Sequence, residues 1–176
     1  MNILDLDYLL VLYINKYLIP QFNALFIFLM HFVYGVFLIL VLYYFFKKQE
    51  TISYRLILIF LIGILIITFL KYAFGRPRPY EAYPEIKTAL VKQDSSFPSM
   101  HAFISFLSAS FLPITISKRY RYLIYFYLLV FIPLLLMYMG IHYLSDVVMG
   151  AFIGILLPKI VSENIFNKLT KYFHKK

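Results

Sequence analysis

Lys71-Tyr72-Ala73-Phe74-Gly75-Arg76-Pro77-Arg78-Pro79, followed after a polar loop by Phe97-Pro98-Ser99-Met100-His101, is the stretch on which the whole chain turns. It is the one long polar interruption in a sequence that is 62% hydrophobic, and it sets Lys, Arg, Ser and His between two apolar runs. Working outward from it, an apolar share this far above the usual half, with a positive mean hydropathy, excludes an ordinary soluble domain. A spanning helix takes about 20 apolar residues, so 176 residues hold about six spans and leave no room for a separate soluble domain. The expected architecture is therefore all-α, a polytopic membrane helical bundle, with residues 1–176 forming a single integral-membrane domain.

The apolar runs before the polar stretch fall at 4–19, 24–46 and 52–72. The first is broken by Asp5, Asp7, Asn15 and Lys16, and reads as a short span in preference to an interfacial helix. The second contains His31, read as a hydrogen-bonded packing residue, and Gly63 in the third allows close helix contact. Beyond the stretch, runs at 99–116, 123–138 and 142–160 complete the set, with a reversal at Gly140.

A formal net charge of +9 does not point to nucleic acid, because the basic residues sit in short loops between apolar runs and not along one soluble face. They set orientation instead. With alternating spans, Lys47, Lys48, Arg55, Lys118, Arg119, Arg121 and the tail residues Lys168, Lys171, Lys175 and Lys176 share one side, cytoplasmic by the positive-inside rule. The 71–97 loop then lies outside, although it is itself basic, with Lys71, Arg76, Arg78, Lys87 and Lys92. The expected location is the plasma or inner membrane, with the site facing outside or the periplasm. The absence of cysteine excludes disulfides, thiol nucleophiles and cysteine metal sites.

Three polar groups converge on that face. Lys71 ends a span, Gly75 and Pro77 stop the helix, and Pro79 holds Arg78 extended and pointing outward, so that an ammonium and a planar guanidinium are offered together, a pairing suited to phosphate oxygens. Ser99 opens the next span, where it either caps the helix or joins its first-turn amides in binding an anion. His101 stands over that position as a proton donor. His142 and Asp146 are four residues apart, one helical turn on one face, and Asp146 can accept from one ring nitrogen and leave the other basic. Glu81, Glu85, Asp94 and Asp146 are too scattered for a magnesium cage, so neither metal nor cofactor is expected.

In these groups the sequence resembles the type 2 phosphatidic acid phosphatase superfamily, whose members include membrane lipid phosphatases and vanadium haloperoxidases. Lys71 with Arg78-Pro79 matches its first motif, and Pro98-Ser99-Met100-His101 its second, with Met100 in place of glycine but still able to present its N–H. Gly140-Ile141-His142-Tyr143-Leu144-Ser145-Asp146 matches the end of the third. That motif's Ser-Arg falls on Leu135-Leu136, so one guanidinium is missing, and Arg76 is the neighbour that can take its place. The resemblance implies a phosphohistidine on His142, oriented by Asp146, with His101 as acid and with Lys71, Arg76, Arg78, Ser99 and Met100 holding phosphate.

The function implied is hydrolysis of a phosphate monoester or diphosphate of a membrane lipid. Polyprenyl diphosphate, phosphatidic acid, phosphatidylglycerol phosphate and lipid A 1-phosphate are the candidates. A lipid-to-lipid phosphotransferase is the enzymatic alternative, and Leu136 is the sequence argument for a non-catalytic lipid-phosphate binding or transport relative.

Overall fold

Residues 3–167 are described by a computed structural model, and the basic tail positions 168–176 lie outside them. Every regular element among the described residues is helical, the main ones being α1 (Ile3–Asn15), α2 (Asn23–Phe46) with a 3-10 turn (Pro20–Phe22) leading into it, α3 (Glu50–Phe74), the single turn α4 (Pro79–Ala82), α5 (Met100–Ser110), α6 (Lys118–Phe126), a π-helical turn (Tyr127–Phe131), α7 (Ile132–Tyr138) and α8 (Leu144–Ile160). Among the described residues, three stretches are long and apolar enough to cross a membrane: Pro20–Phe46, Glu50–Ala82 and Lys118–Tyr138. Their outer faces carry bare Phe28, Leu38, Leu65, Phe69 and Phe126, as lipid-facing helices do. The chain is an integral membrane protein.

The middle of the bundle is α5, which packs most extensively on α8 and also touches α2, α3, α7 and the π turn. Lipid tails are as apolar as leucine, so close van der Waals packing and interhelical hydrogen bonds have to hold such helices together. Gly150 and Gly154, one turn apart on α8, let α5 approach: a Cβ on the first would stand 2.3 Å from the Ser99 carbonyl oxygen, and on the second 2.6 Å from that of Phe103. Gly63 does serve close helix contact, receiving the Phe103 ring where a Cβ would be 2.0 Å from it. Hydroxyls add the polar ties, with Tyr44 donating to the Phe111 carbonyl at 2.7 Å and Tyr127 to that of Leu29 at 2.6 Å.

Several expected spans are redrawn, each for a local reason. The first is a helix of 13 residues, about 20 Å long and too short to cross a core of about 30 Å. Instead it docks with its polar residues inward: Asp7 and Asn15 are buried. The helix expected over 99–116 stops at Ser110, because Pro113 supplies no N–H and disfavours helix at the residue before it. The fifth begins earlier than expected, at Lys118, so Lys118, Arg119 and Arg121 belong to its first turn. Pro133 then breaks its regular ladder: the Ile132 N–H moves to the Tyr127 carbonyl, and the freed Leu128 carbonyl accepts from Ser105 at 2.5 Å. The last helix starts at Leu144, which leaves His142 in the turn before it and not on its face.

Candidate active site

The polar stretch folds back over the bundle end. Gly75 takes the left-handed conformation (φ 54°) that ends α3, its N–H bonded to the Lys71 carbonyl at 3.1 Å. Pro79 keeps Arg78 extended, as expected, but the side chain turns inward and is 2% exposed, so the outward pointing expected from sequence is corrected. Its guanidinium donates to the Ile141 carbonyl at 2.7 Å, to the Asp94 carboxylate at 2.6 Å and to the Asp94 carbonyl at 3.0 Å. Lys71 donates to the Ser95 carbonyl and pairs with the same Asp94 carboxylate at 3.1 Å. Burial alone works against the charge of Asp94, but Lys71 and Arg78 outweigh it and hold the carboxyl down at about 2. A carboxyl depressed in the folded state loses its partners only as pH falls through that value, so this clamp is complete throughout the neutral range.

His142 enters from the α7–α8 turn. Its Nδ1 lies 3.4 Å from Asp146 Oδ2, and its Nε2 lies 3.5 Å from an Arg78 nitrogen. A carboxylate only accepts, so Nδ1 carries the proton, and the Nε2 lone pair faces the Arg78 guanidinium, from which it accepts a long hydrogen bond. Asp146 is fixed in turn by the Tyr143 N–H at 2.8 Å, by the Ser96 hydroxyl, and by Arg76 on its other oxygen at 2.8 Å. Arg76 also reaches Ser145 Oγ at 2.6 Å and Asp7 at 3.0 Å, and stacks over the Tyr143 ring at 3.8 Å. Asp7 closes this network by accepting from the Ser145 N–H at 3.0 Å and from its hydroxyl.

A cavity of about 190 Å³ opens between these groups, lined by Tyr34, Thr68, Lys71, Arg78, Lys92, Asp94, Met100, His101 and His142. His101 is 5% exposed, its Nε2 has no partner among the described residues, and its ring meets those of Tyr34 and His31 edge-on at 5.2 and 5.4 Å. His31 is hydrogen-bonded as expected, donating from Nδ1 to the Ile27 carbonyl at 2.8 Å, but its place beside His101 was not legible in an apolar run.

Of the residues singled out in the sequence, Lys71, Arg78, Met100, His101 and His142 share the cavity wall, with Asp146 directly behind. Ser99 is fully buried and caps α5, its hydroxyl accepting from the Ala102 N–H at 3.4 Å. Arg76 is absent from the wall and is committed to carboxylates and Ser145. Leu136 is fully buried in an apolar cluster with Met30, Ala102, Ile132 and Ile141, so its position faces protein and not lipid. Asp7, Lys92, Asp94 and Ser96 are the members that no motif announced.

Residues 52–169 match the PAP2 superfamily, and the chain belongs to that family. The structure of LpxE from Aquifex aeolicus superposes with a TM-score of 0.76 at 25% identity, covering 89% of this chain and 94% of that one. A transmembrane PAP2 type phosphatidylglycerolphosphate phosphatase from Bacillus subtilis gives 0.71 at 21% identity, covering 90% and 84%. No curated protein sequence matches. Family and fold are those of a membrane phosphatase.

Proposed function

We propose that the protein removes a terminal phosphate from a membrane lipid monoester or diphosphate at the outer face, without a metal, through a phosphohistidine on His142. The observation that carries the reading is the orientation of His142: Nδ1 turned to Asp146, Nε2 turned to Arg78 in a cavity shared with Lys71 and His101. A phosphoryl group seated on Lys71 and Arg78 takes over the Arg78 donor and presents its phosphorus to the Nε2 lone pair. Its negative charge also favours the protonated form of His101 beside it. Nε2 forms the P–N bond as the bond from phosphorus to the lipid oxygen breaks, and His101 gives its proton to that oxygen. In the second half His101 takes a proton from water, whose oxygen bonds to phosphorus as the P–N bond breaks and inorganic phosphate leaves.

Leu136 favours a second reading, a lipid-phosphate binding protein that retains the scaffold without turnover, since the family's third-motif guanidinium is replaced by a buried hydrocarbon. Purified protein incubated in chelator with a panel of lipid phosphates separates the two, and following phosphorylated acceptors separates hydrolysis from phosphotransfer. Phosphate release is expected, and His142→Ala is expected to abolish it. Release by that variant above a contaminant-controlled background rules out the phosphohistidine.

A further inference from the structure

We propose that Lys92 is a third phosphate-binding cation of this cavity, supplying from the outer loop the positive charge that Leu136 does not carry. The proposal rests on the phosphatase reading for its ligand, and its ground is the distribution of charge around the cavity. Lys71 and Arg78 share the single carboxylate of Asp94, at 3.1 and 2.6 Å, which leaves one net positive charge among the three. A phosphate monoester brings about 1.5–2 negative charges at neutral pH. Protonated His101 adds a charge only until it gives its proton to the leaving oxygen, so another cation is needed to match the phosphohistidine that follows, and the family's place for one is filled by Leu136 among Met30, Ala102 and Ile141.

Lys92 meets that need by position. It lines the same cavity as Lys71, Arg78, His101 and His142, and its ammonium makes no ion pair with any described carboxylate. Its backbone is held in place: the Tyr80 hydroxyl donates to its carbonyl at 2.9 Å and accepts from its N–H at 2.9 Å. Tyr80 directly follows Arg78-Pro79 and packs against the apolar cluster that contains Leu136, so one anchored ring links the motif arginine to the loop lysine. Burial, followed by the positive field of Arg78, pushes the Lys92 amine below its ordinary value, as befits an ammonium awaiting an anion. A basic residue flanking a membrane is commonly only solvated. Lys87, on the same loop, is of that kind: it is exposed and absent from the cavity wall.

The experiment compares the parent with Lys92→Met, Lys92→Arg and Lys87→Met as purified full-length chains. It measures kcat and KM on a lipid phosphate in mixed micelles, competitive inhibition by inorganic phosphate, and thermal stabilisation by inorganic phosphate. For Lys92→Met, KM and the phosphate inhibition constant are expected to rise about tenfold or more, the loss of one charge-assisted contact, with kcat changed far less. Lys92→Arg restores both to within about threefold, since the charge and donors remain, and Lys87→Met matches the parent. Parent-like constants in Lys92→Met overturn the proposal, as does an equal loss in Lys87→Met, which reports a general surface field. If the parent releases no phosphate from any lipid, the phosphatase reading fails on its own. The stabilisation by inorganic phosphate then decides Lys92: its loss in Lys92→Met alone supports the assignment, and no such difference removes it.

Discussion

Asp146 accepts from His142, the Tyr143 N–H and Ser96 on one oxygen and from Arg76 on the other, so both oxygens are engaged. Asp146→Asn keeps the shape but turns an NH₂ toward one of these donors. Turnover is expected to fall on the order of 10⁴, as in the best-known triad, and a fall of less than about tenfold in single-turnover rate would make Asp146 structural. The His142–Asp146 pair was legible because four residues separate its members. Asp7 was not, since it reaches the site through Arg76 from the other end of the sequence, and no local pattern records that contact. Arg76 itself was legible only as a nearby guanidinium, and its commitment to two carboxylates assigns it to positioning. Asp7→Asn is therefore expected to lower kcat with little change in KM, and a change in KM alone would count against that role. Asp94 occupies the two cations a phosphate would use, so Asp94→Asn is expected to tighten competitive inhibition by inorganic phosphate by about threefold or more. Weakened inhibition would mean that Asp94 organises the cations more than it competes for them.

The helices were legible from their apolar runs, and their ends were not, because proline and tertiary hydrogen bonds set them. Pro133 converts part of the fifth span to a π turn, and Ser105 of another helix takes up the freed Leu128 carbonyl. Composition counts apolar residues and cannot see that partner. In the same way α1 reads as a short span until Asp7 and Asn15 are found inside: Asn15 donates to the Lys87 and Tyr138 carbonyls, both at 2.8 Å. The α5–α8 contact had a signal that went unread, the small-residue pair Gly150 and Gly154. Since the first of these faces the Ser99 carbonyl, two residues before His101, Gly150→Ala forces α5 outward exactly where the site is built on it. It is expected to lower both the melting temperature and turnover. Gly35→Ala is the control: a Cβ there meets Phe32 at an ordinary 3.5 Å, and relief of glycine's helix penalty of about 1 kcal/mol should leave the protein equally or more stable. Equal behaviour of the two variants would show that close approach of α5 and α8 is not required.

At the scale of the molecule, the two ends of the bundle differ in how they carry charge. At the site end Lys71, Arg76 and Arg78 are tied into ion pairs with Asp94, Asp7 and Asp146, and Asn15 binds that end together across α1, the 71–97 loop and the end of α7. At the other end Arg55 donates to the Pro158 and Val161 carbonyls at the close of α8, while Lys47, Lys48, Lys118, Arg119 and Arg121 make no ion pair among the described residues. The basic loop that narrowed the margin of the positive-inside rule thus has an internal use for three of its cations, and the rule applied to the unpaired ones predicts a cytoplasmic opposite end. The sequence lacks cysteine, so Lys87→Cys and Lys118→Cys each introduce a single thiol without background. An impermeant thiol reagent on intact cells is expected to label the first variant, and the second only after permeabilisation. Labelling of Lys118→Cys in intact cells with protection of Lys87→Cys would invert the bundle. The cavity would then open to the cytoplasm, and its lipid phosphate would have to come from the inner leaflet.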